Sequence, residues 1–194
     1  MPRVSEDHLN ARREQILTAA RACFLRKGLH NTSMQDLIKE AGLSVGAVYR
    51  YFKSKDEIIA AIAEGVVGGI RAEIDQIAGR RMSLLESLRR LLDVIDAQTG
   101  PDGALPIALH IWSEAMTDPA IKSIVQDRYL ELRGSVRVLV EHAVEIRELP
   151  PETDIDDVTG AFFALIPGYA LQRLLIGNPD KDSFLRGVRT LYGP

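Results

Sequence analysis

The chain has 194 residues, 46% hydrophobic and 26% charged, with a formal net charge of -3. That length and balance allow a real core, in one large or two small domains, and exclude a disordered, fibrous or low-complexity chain. One cysteine, Cys23, excludes an internal disulfide and fits a reducing cytoplasm, the expected location.

The average charge conceals an asymmetry. Residues 1–55 hold ten Lys/Arg against five Asp/Glu, a net of +5, and the remainder holds 14 against 22, a net of -8. A basic head on an acidic body fits nucleic-acid contact confined to one end. The N-terminus has no apolar signal segment. The longest apolar stretch, around Phe162 to Ile176, is interrupted by Pro167, Gly168, Gln172 and Arg173, so no membrane partner is expected.

Residues 1–8 read as a polar arm from which Arg3 would reach a phosphate if the arm were ordered. A helix follows from about Leu9 to Arg26. Ile16, Leu17, Ala20, Cys23, Phe24 and Leu25 form its apolar stripe, and Gly28 ends it. Cys23 reads as a small core residue. Ser33 to Ala41 carries Met34, Leu37, Ile38 and Ala41 at helical spacing, with Thr32 as the capping hydroxyl and Asp36 in the first turn. Gly42 stops that helix and Ser44 caps the next, Val45 to Phe52. Ala47, Val48 and Phe52 are its expected buried side; Val45, Gly46, Tyr49, Arg50 and Tyr51 face outward. Two short helices joined by a tight glycine turn form a helix-turn-helix, whose second helix enters the DNA major groove.

Ser54 caps a fourth helix that runs to about Ala78 on Ile58, Ile59, Ile62, Val66, Ile70, Ile74 and Ile77. Gly65, Gly68 and Gly69 inside it permit either close helix contact or local bending. A fifth helix covers about Ser83 to Ala97, and residues 99–103 break the chain. A sixth, about Leu105 to Met116, is apolar nearly all round and reads as buried in the body. Pro119 opens the seventh, which continues through Val144; the eighth spans about Asp156 to Ile176, and a short ninth lies near Asp182 to Leu191. The expected fold is all-α: a three-helix headpiece over residues 1–53, then a larger helical body over 54–194 for ligand binding and dimerisation, about nine helices in all.

The run Gly42-Leu43-Ser44-Val45-Gly46-Ala47-Val48-Tyr49-Arg50-Tyr51-Phe52-Lys53-Ser54-Lys55-Asp56 resembles the signature of TetR/AcrR-family transcriptional regulators, and the likeness extends over roughly residues 10 to 64. More loosely, Ile111 to Pro119 and Leu165 to Leu171 resemble a C-terminal domain found in some members. Relatives often carry an acidic residue where Pro167 stands, and this proline should kink the eighth helix. The resemblance implies a ligand-responsive DNA-binding regulator, with repression as the expected sense. The partners implied are an operator duplex, a small-molecule effector and a second copy of the chain.

The resemblance assigns phosphate contacts to Tyr49, Lys55 and Thr32, the last at a helix N-terminus suited to an anion, with Ser33 beside it. Ser44, Val45, Gly46, Arg50 and Tyr51 occupy the exposed start and face of the recognition helix. Arg50 either pairs bidentately with guanine or contacts a phosphate. Val45 stands where many relatives have a polar side chain and can touch only a thymine methyl or a sugar. A two-fold operator requires a dimer. Gly160, Ala164 and Gly168 recur every four residues and allow close backbone approach, joined by Phe184 and Val188 of the ninth helix. Packing within the subunit is the other reading of these positions.

The expected effector cavity lies among helices four to eight and draws on Ile107, His110, Ile111, Trp112, Met116, Tyr129, Arg133, Phe162, Phe163, Ile166 and Tyr169. Ring faces of Trp112, Phe162 and Tyr169 suit a flat or cationic ligand, with Glu114 the nearest acid. Each of these residues also reads as core. His8, His30, His110 and His142 are scattered, and Asp154, Asp156 and Asp157 sit at a helix start where the dipole explains them. No catalytic, metal or cofactor constellation is expected. A helical protein-interaction adaptor with a vestigial headpiece is the alternative.

Overall fold

The computed structural model describes residues 6–100 and 103–192, and every regular element among them is an α-helix. In chain order they are α1 (Glu6–Lys27), α2 (Met34–Ala41), α3 (Val45–Tyr51), α4 (Lys55–Gly79), α5 (Leu84–Ala97), α6 (Leu105–Ala115), α7 (Pro119–Glu145), α8 (Ile155–Ile176) and α9 (Lys181–Tyr192). Arg3, Pro101 and Asp102 lie outside the described residues. Two compact units emerge, one within Met1–Gly65 and Ile107–Gln126, the other within Val66–Pro106 and Asp127–Pro194.

In the first unit the apolar stripe of α1 makes the core. Ile16, Leu17, Ala20, Cys23 and Phe24 are buried with Leu37 of α2, Val48 of α3, Phe52, and Ile58, Ile59 and Ile62 of α4. Leu25 is not part of that stripe. It shares its side of α1 with exposed Ala22 and Thr18 and is itself exposed. A second difference concerns α6: its buried Ile107, Ile111 and Ala115 join this same core. Local periodicity marks α6 as buried without saying what buries it.

Side chains lock α2 onto α1. Gln15 Nε2 donates to the Ala41 carbonyl at 2.8 Å, taking up an acceptor left free at the α2 C-terminus. Arg26 pairs with Glu40 at 2.7 Å and Lys27 with Asp36 at 2.6 Å. Ser33, not Thr32, caps α2. Its extended backbone lets Oγ accept from the Asp36 N–H, and the Asp36 carboxylate accepts from the Ser33 N–H, a reciprocal capping box.

The second unit buries Ile74 and Ile77 of α4, Leu88, Leu91, Leu92 and Ile95 of α5, Val136 and Leu139 of α7, Phe162, Phe163, Ile166 and Tyr169 of α8, and Leu185 and Val188 of α9. Asp154 caps α8 through the N–H groups of Asp156 and Asp157. Gly177 closes α8 at φ 70°, a left-handed conformation that glycine takes without a Cβ clash. α8 continues through Pro167 unbroken. By length and composition α8 is apolar enough to cross a bilayer, contrary to the expectation that no segment is. Here that apolarity serves the core: Phe162, Phe163, Ile166, Tyr169 and Ala170 are buried within the unit. α4 runs unbroken for 25 residues, and a Cβ built at Gly68 or Gly69 would meet nothing within 4 Å. Close helix contact within the described residues is therefore not the reason for these two glycines.

Lys27 and Ser33 hold the Asp36 carboxyl well below the usual carboxylate range. A carboxylate whose pKa is depressed on folding stabilises the fold above its unfolded value, near 4, and loses that contribution as pH falls through the folded value. Asp36→Asn is therefore expected to lower the thermal midpoint at pH 7, with the difference from wild type shrinking steadily below about pH 4. Melts followed by circular dichroism between pH 7 and pH 2 check this.

Candidate nucleic-acid interface

The turn that presents α3 is built from three local devices. Gly42, at φ 64°, returns its N–H to the Lys39 carbonyl and ends α2. Ser44 Oγ then accepts from the Ala47 N–H at 3.3 Å, starting α3. Phe52 closes it through an N–H bond to the Val48 carbonyl. With Val48 and Phe52 buried, Gly46 and Arg50 turn outward, while Val45, at the first position of the helix, is 59% exposed and Tyr49 38%. Tyr51 departs from the expected outward placement and packs half-buried against the core. It follows Val48 by three residues, so the helical turn brings it to the edge of the buried face.

The expected phosphate-contacting side chains differ in availability. Thr32 is only 2% exposed, and its hydroxyl donates to the Gly28 carbonyl at 2.7 Å, so that hydroxyl braces the loop before α2. Ser33 is exposed, but its hydroxyl is engaged with Asp36. Lys55 Nζ donates to the Leu29 carbonyl at 2.9 Å, tying the start of α4 to the same loop and using one of three ammonium protons. Lys53 Nζ donates to the Tyr49 carbonyl. Arg50 has no carboxylate partner among the described residues. Arg13 lies over the Phe52 ring, 5.5 Å from its centroid, and adds positive charge beside the end of α3.

The expected effector residues fall in both units. Ile107 and Ile111 are core residues of the first, where Trp112 is half-buried, His110 is exposed and Met116 is 76% exposed. In that unit Glu114 faces His30, Oε1 to Nδ1, at 3.7 Å. In the second unit the Tyr129 and Phe163 rings meet edge to face at 4.7 Å, Arg133 donates to the Asp156 carbonyl, and Phe162, Ile166 and Tyr169 are buried. An open cleft of about 410 Å³ in the first unit, lined by Arg13, Leu17, Arg21, Ala61, Glu64 and Gly65 among others, contains none of the expected effector residues.

Sequence reading missed a polar cluster in the second unit. Asp96 Oδ1 accepts from the Tyr169 hydroxyl at 2.8 Å and from Arg173 Nε at 3.2 Å, and the Tyr169 ring lies 5.0 Å from that of Phe184. Burial, then the bond to Asp96, pushes the Tyr169 phenol well above its ordinary range. The four-residue spacing of Tyr169 and Arg173 on α8 was the available signal; the Asp96 partner on α5 has no local one.

Of the expected dimer residues, Ala164 is exposed and Gly160 and Gly168 are half-buried. Phe184 is turned toward Tyr169, and Val188 is buried in its own unit. The large apolar side chains that α8 and α9 leave exposed are Leu175, Ile176, Leu191 and Tyr192. No group of three or more metal-capable side chains stands together among the described residues.

Comparison with known proteins places this geometry. The family described as "Bacterial regulatory proteins, tetR family" matches residues 16–62, and "BetI-type transcriptional repressor, C-terminal" matches residues 85–191. The HTH-type transcriptional regulator YfiR of Bacillus subtilis is 39% identical over 184 residues, covering 93% of this chain and 89% of that protein. TtgR of Pseudomonas putida, also an HTH-type transcriptional regulator, is 27% identical over 198 residues, covering 97% and 91%. Among solved structures, a SmeT–triclosan complex superposes with a TM-score of 0.80 at 20% identity, covering 93% of this chain and 91% of that one.

Removing the Tyr169 hydroxyl takes one charge-assisted bond from Asp96 and leaves Arg173 in place. Tyr169→Phe is expected to cost about 1–2 kcal/mol in urea unfolding. An unchanged midpoint would show that Arg173 alone satisfies Asp96.

Proposed function

The chain belongs to the tetR family of bacterial regulatory proteins and is a DNA-binding transcriptional regulator; from that premise we propose a homodimeric repressor released from its operator by a small, largely apolar or aromatic effector. The observation that carries the DNA reading is the exposed face of α3. Its inner side is fixed in the headpiece core, and Val45, Gly46, Tyr49 and Arg50 stand outward on a segment of net charge +5. Tyr49 and the two remaining ammonium protons of Lys55 grip phosphates and set register; Arg50, with no carboxylate partner among the described residues, reaches the groove floor or its edge. In this reading residues 1–53 serve DNA binding and 54–194 control and pairing in a cytoplasmic protein, with Ile107–Gln126 of the second part packed in the same compact unit as the headpiece.

Dimerisation is assigned to α8 and α9. Exposed Ala164 with Gly168 allows two copies of α8 to approach closely, and exposed Leu175 and Leu191 supply apolar area that a single copy leaves in water. Phe184 and Val188 support that surface from behind. For the effector, the Tyr129–Phe163 ring pair in the second unit is the first place a flat molecule would stack. The triclosan complex of SmeT, a protein of the same fold, makes small aromatic molecules the first class to screen. Binding shifts the population between conformers of the body. α4 is the element that transmits the shift, because it is continuous from Lys55 to Gly79 and carries residues of both units. Gly65, Gly68 and Gly69 each lower its helical stability by up to ~1 kcal/mol relative to alanine and make it deformable.

The test is fluorescence anisotropy on duplexes from the promoter region beside the protein's own gene. Affinity is expected to fall steeply with salt, as phosphate contacts require. Tyr49→Ala/Lys55→Ala is expected to lose at least about tenfold at fixed salt while keeping its helical circular dichroism. Unchanged binding by that variant would remove the phosphate assignment. Absent or salt-insensitive binding would favour an adaptor whose headpiece has no DNA role.

A further inference from the structure

Two features of α3 have no explanation inside the protein. Val45 is the most exposed large apolar side chain on α1–α4, 59% open among the described residues. Beside it, Gly46 has an ordinary helical backbone rather than a positive φ, and a Cβ built there would meet no atom within 4 Å. An exposed isopropyl group and a glycine inside a helix both reduce stability. Neither turn geometry nor packing demands either residue, so their reason lies in whatever approaches this face.

The approaching surface is constrained by charge and by what valine can recognise. The headpiece is basic, Arg50 beside this face has no carboxylate partner among the described residues, and the proposed partner is DNA. Ser44 Oγ already accepts from the Ala47 N–H. Valine has no donor or acceptor. The single apolar group on a base edge in the major groove is the 5-methyl of thymine. Resting on the DNA-binding reading above, we propose that Val45 determines operator specificity by packing against a thymine 5-methyl in each half-site. Gly46 removes the side chain that would otherwise hold the α3 backbone away from the base edges. Part of the sequence read is then carried by methyl groups, with Arg50 supplying the polar contact.

The experiment starts from the duplex that the wild-type protein enriches from a random-sequence library. That duplex is resynthesised with deoxyuridine replacing each thymidine pair in turn, which deletes one methyl per half-site and leaves every hydrogen bond. Wild-type affinity is expected to fall about three- to tenfold at one symmetry-related pair of positions and to stay unchanged elsewhere. Val45→Ala should bind the thymidine duplex more weakly by a similar factor and be indifferent to deoxyuridine at that pair. Gly46→Ala should melt higher than wild type, as a helix-favouring change does, yet bind DNA more weakly. That opposition is one a purely structural glycine would not produce.

Tight wild-type binding to every deoxyuridine duplex would overturn the methyl contact, place Val45 against sugar, and leave the DNA-binding reading intact. Persisting deoxyuridine sensitivity in Val45→Ala would overturn it too, because another group would be reading the methyl. Full-strength binding by Gly46→Ala would overturn the close approach. Failure to enrich any duplex would remove the DNA-binding reading and this inference together.

Discussion

Val48 of α3 and Phe52 at its C-terminal cap are the side chains there that the core takes up fully, and the direction of the helix follows from their burial with residues of α1 and α4. Four residues separate them, a little over one helical turn, so burying both fixes the rotation of the helix about its axis. Once that rotation is fixed, Gly46 and Arg50 face water, with Tyr49 and Val45, the first residue of the helix, exposed beside them. Gln15 on the Ala41 carbonyl, the Arg26–Glu40 and Lys27–Asp36 pairs, and Lys55 on the Leu29 carbonyl position the rest of the headpiece around this anchor. The pairs are exposed and individually weak. They fix geometry more than they add stability, and the buried apolar cluster carries the energy.

The same cluster reaches past the headpiece in sequence. Ile107, Ile111 and Ala115 of α6 and Ile121 of α7 lie in it, so the first unit is not a contiguous stretch of chain. Three helices, α4, α6 and α7, therefore contain residues of both units. α4 alone among them carries three closely spaced glycines, two of them, Gly68 and Gly69, with open surroundings, which is why the proposed signal is routed through it. In the second unit the Asp96–Tyr169–Arg173 cluster ties α5 to α8 by bonds to a charged carboxylate in a part-buried setting. Such bonds are directional in a way apolar packing is not, and they hold α8 at a defined rotation while Ala164 and Leu175 on it stay exposed.

All nine described helices were legible from apolar residues at helical spacing or, as in α6, from an apolar run of helical length, together with start and stop residues; Gly42, Ser44 and Gly177 mark three of these boundaries. What could not be read was any choice that depends on backbone angles or on distant partners. Thr32 and Ser33 both satisfy a capping pattern, and only the extended backbone at Ser33, φ -93° and ψ 162°, selects it. Leu25 extends an apolar run by sequence yet turns away from the core by geometry. Val188 and Phe184 look like interface residues on a short amphipathic helix, and their contacts with the second unit's core and Tyr169 appear only once α8 is in place. The expected effector residues mixed two cores for the same reason: apolar periodicity says that α6 is buried and is silent on which neighbours bury it.

In the proposed dimer two headpieces present two copies of α3 to one duplex. Hydroxyl-radical footprinting of the purified protein on its enriched duplex tests this most directly. The prediction is two protected patches, related by a two-fold axis and lying on one face of the DNA, with centres about one helical turn of 10–10.5 base pairs apart or a multiple of it. A single protected patch, or two patches on opposite faces, would contradict it.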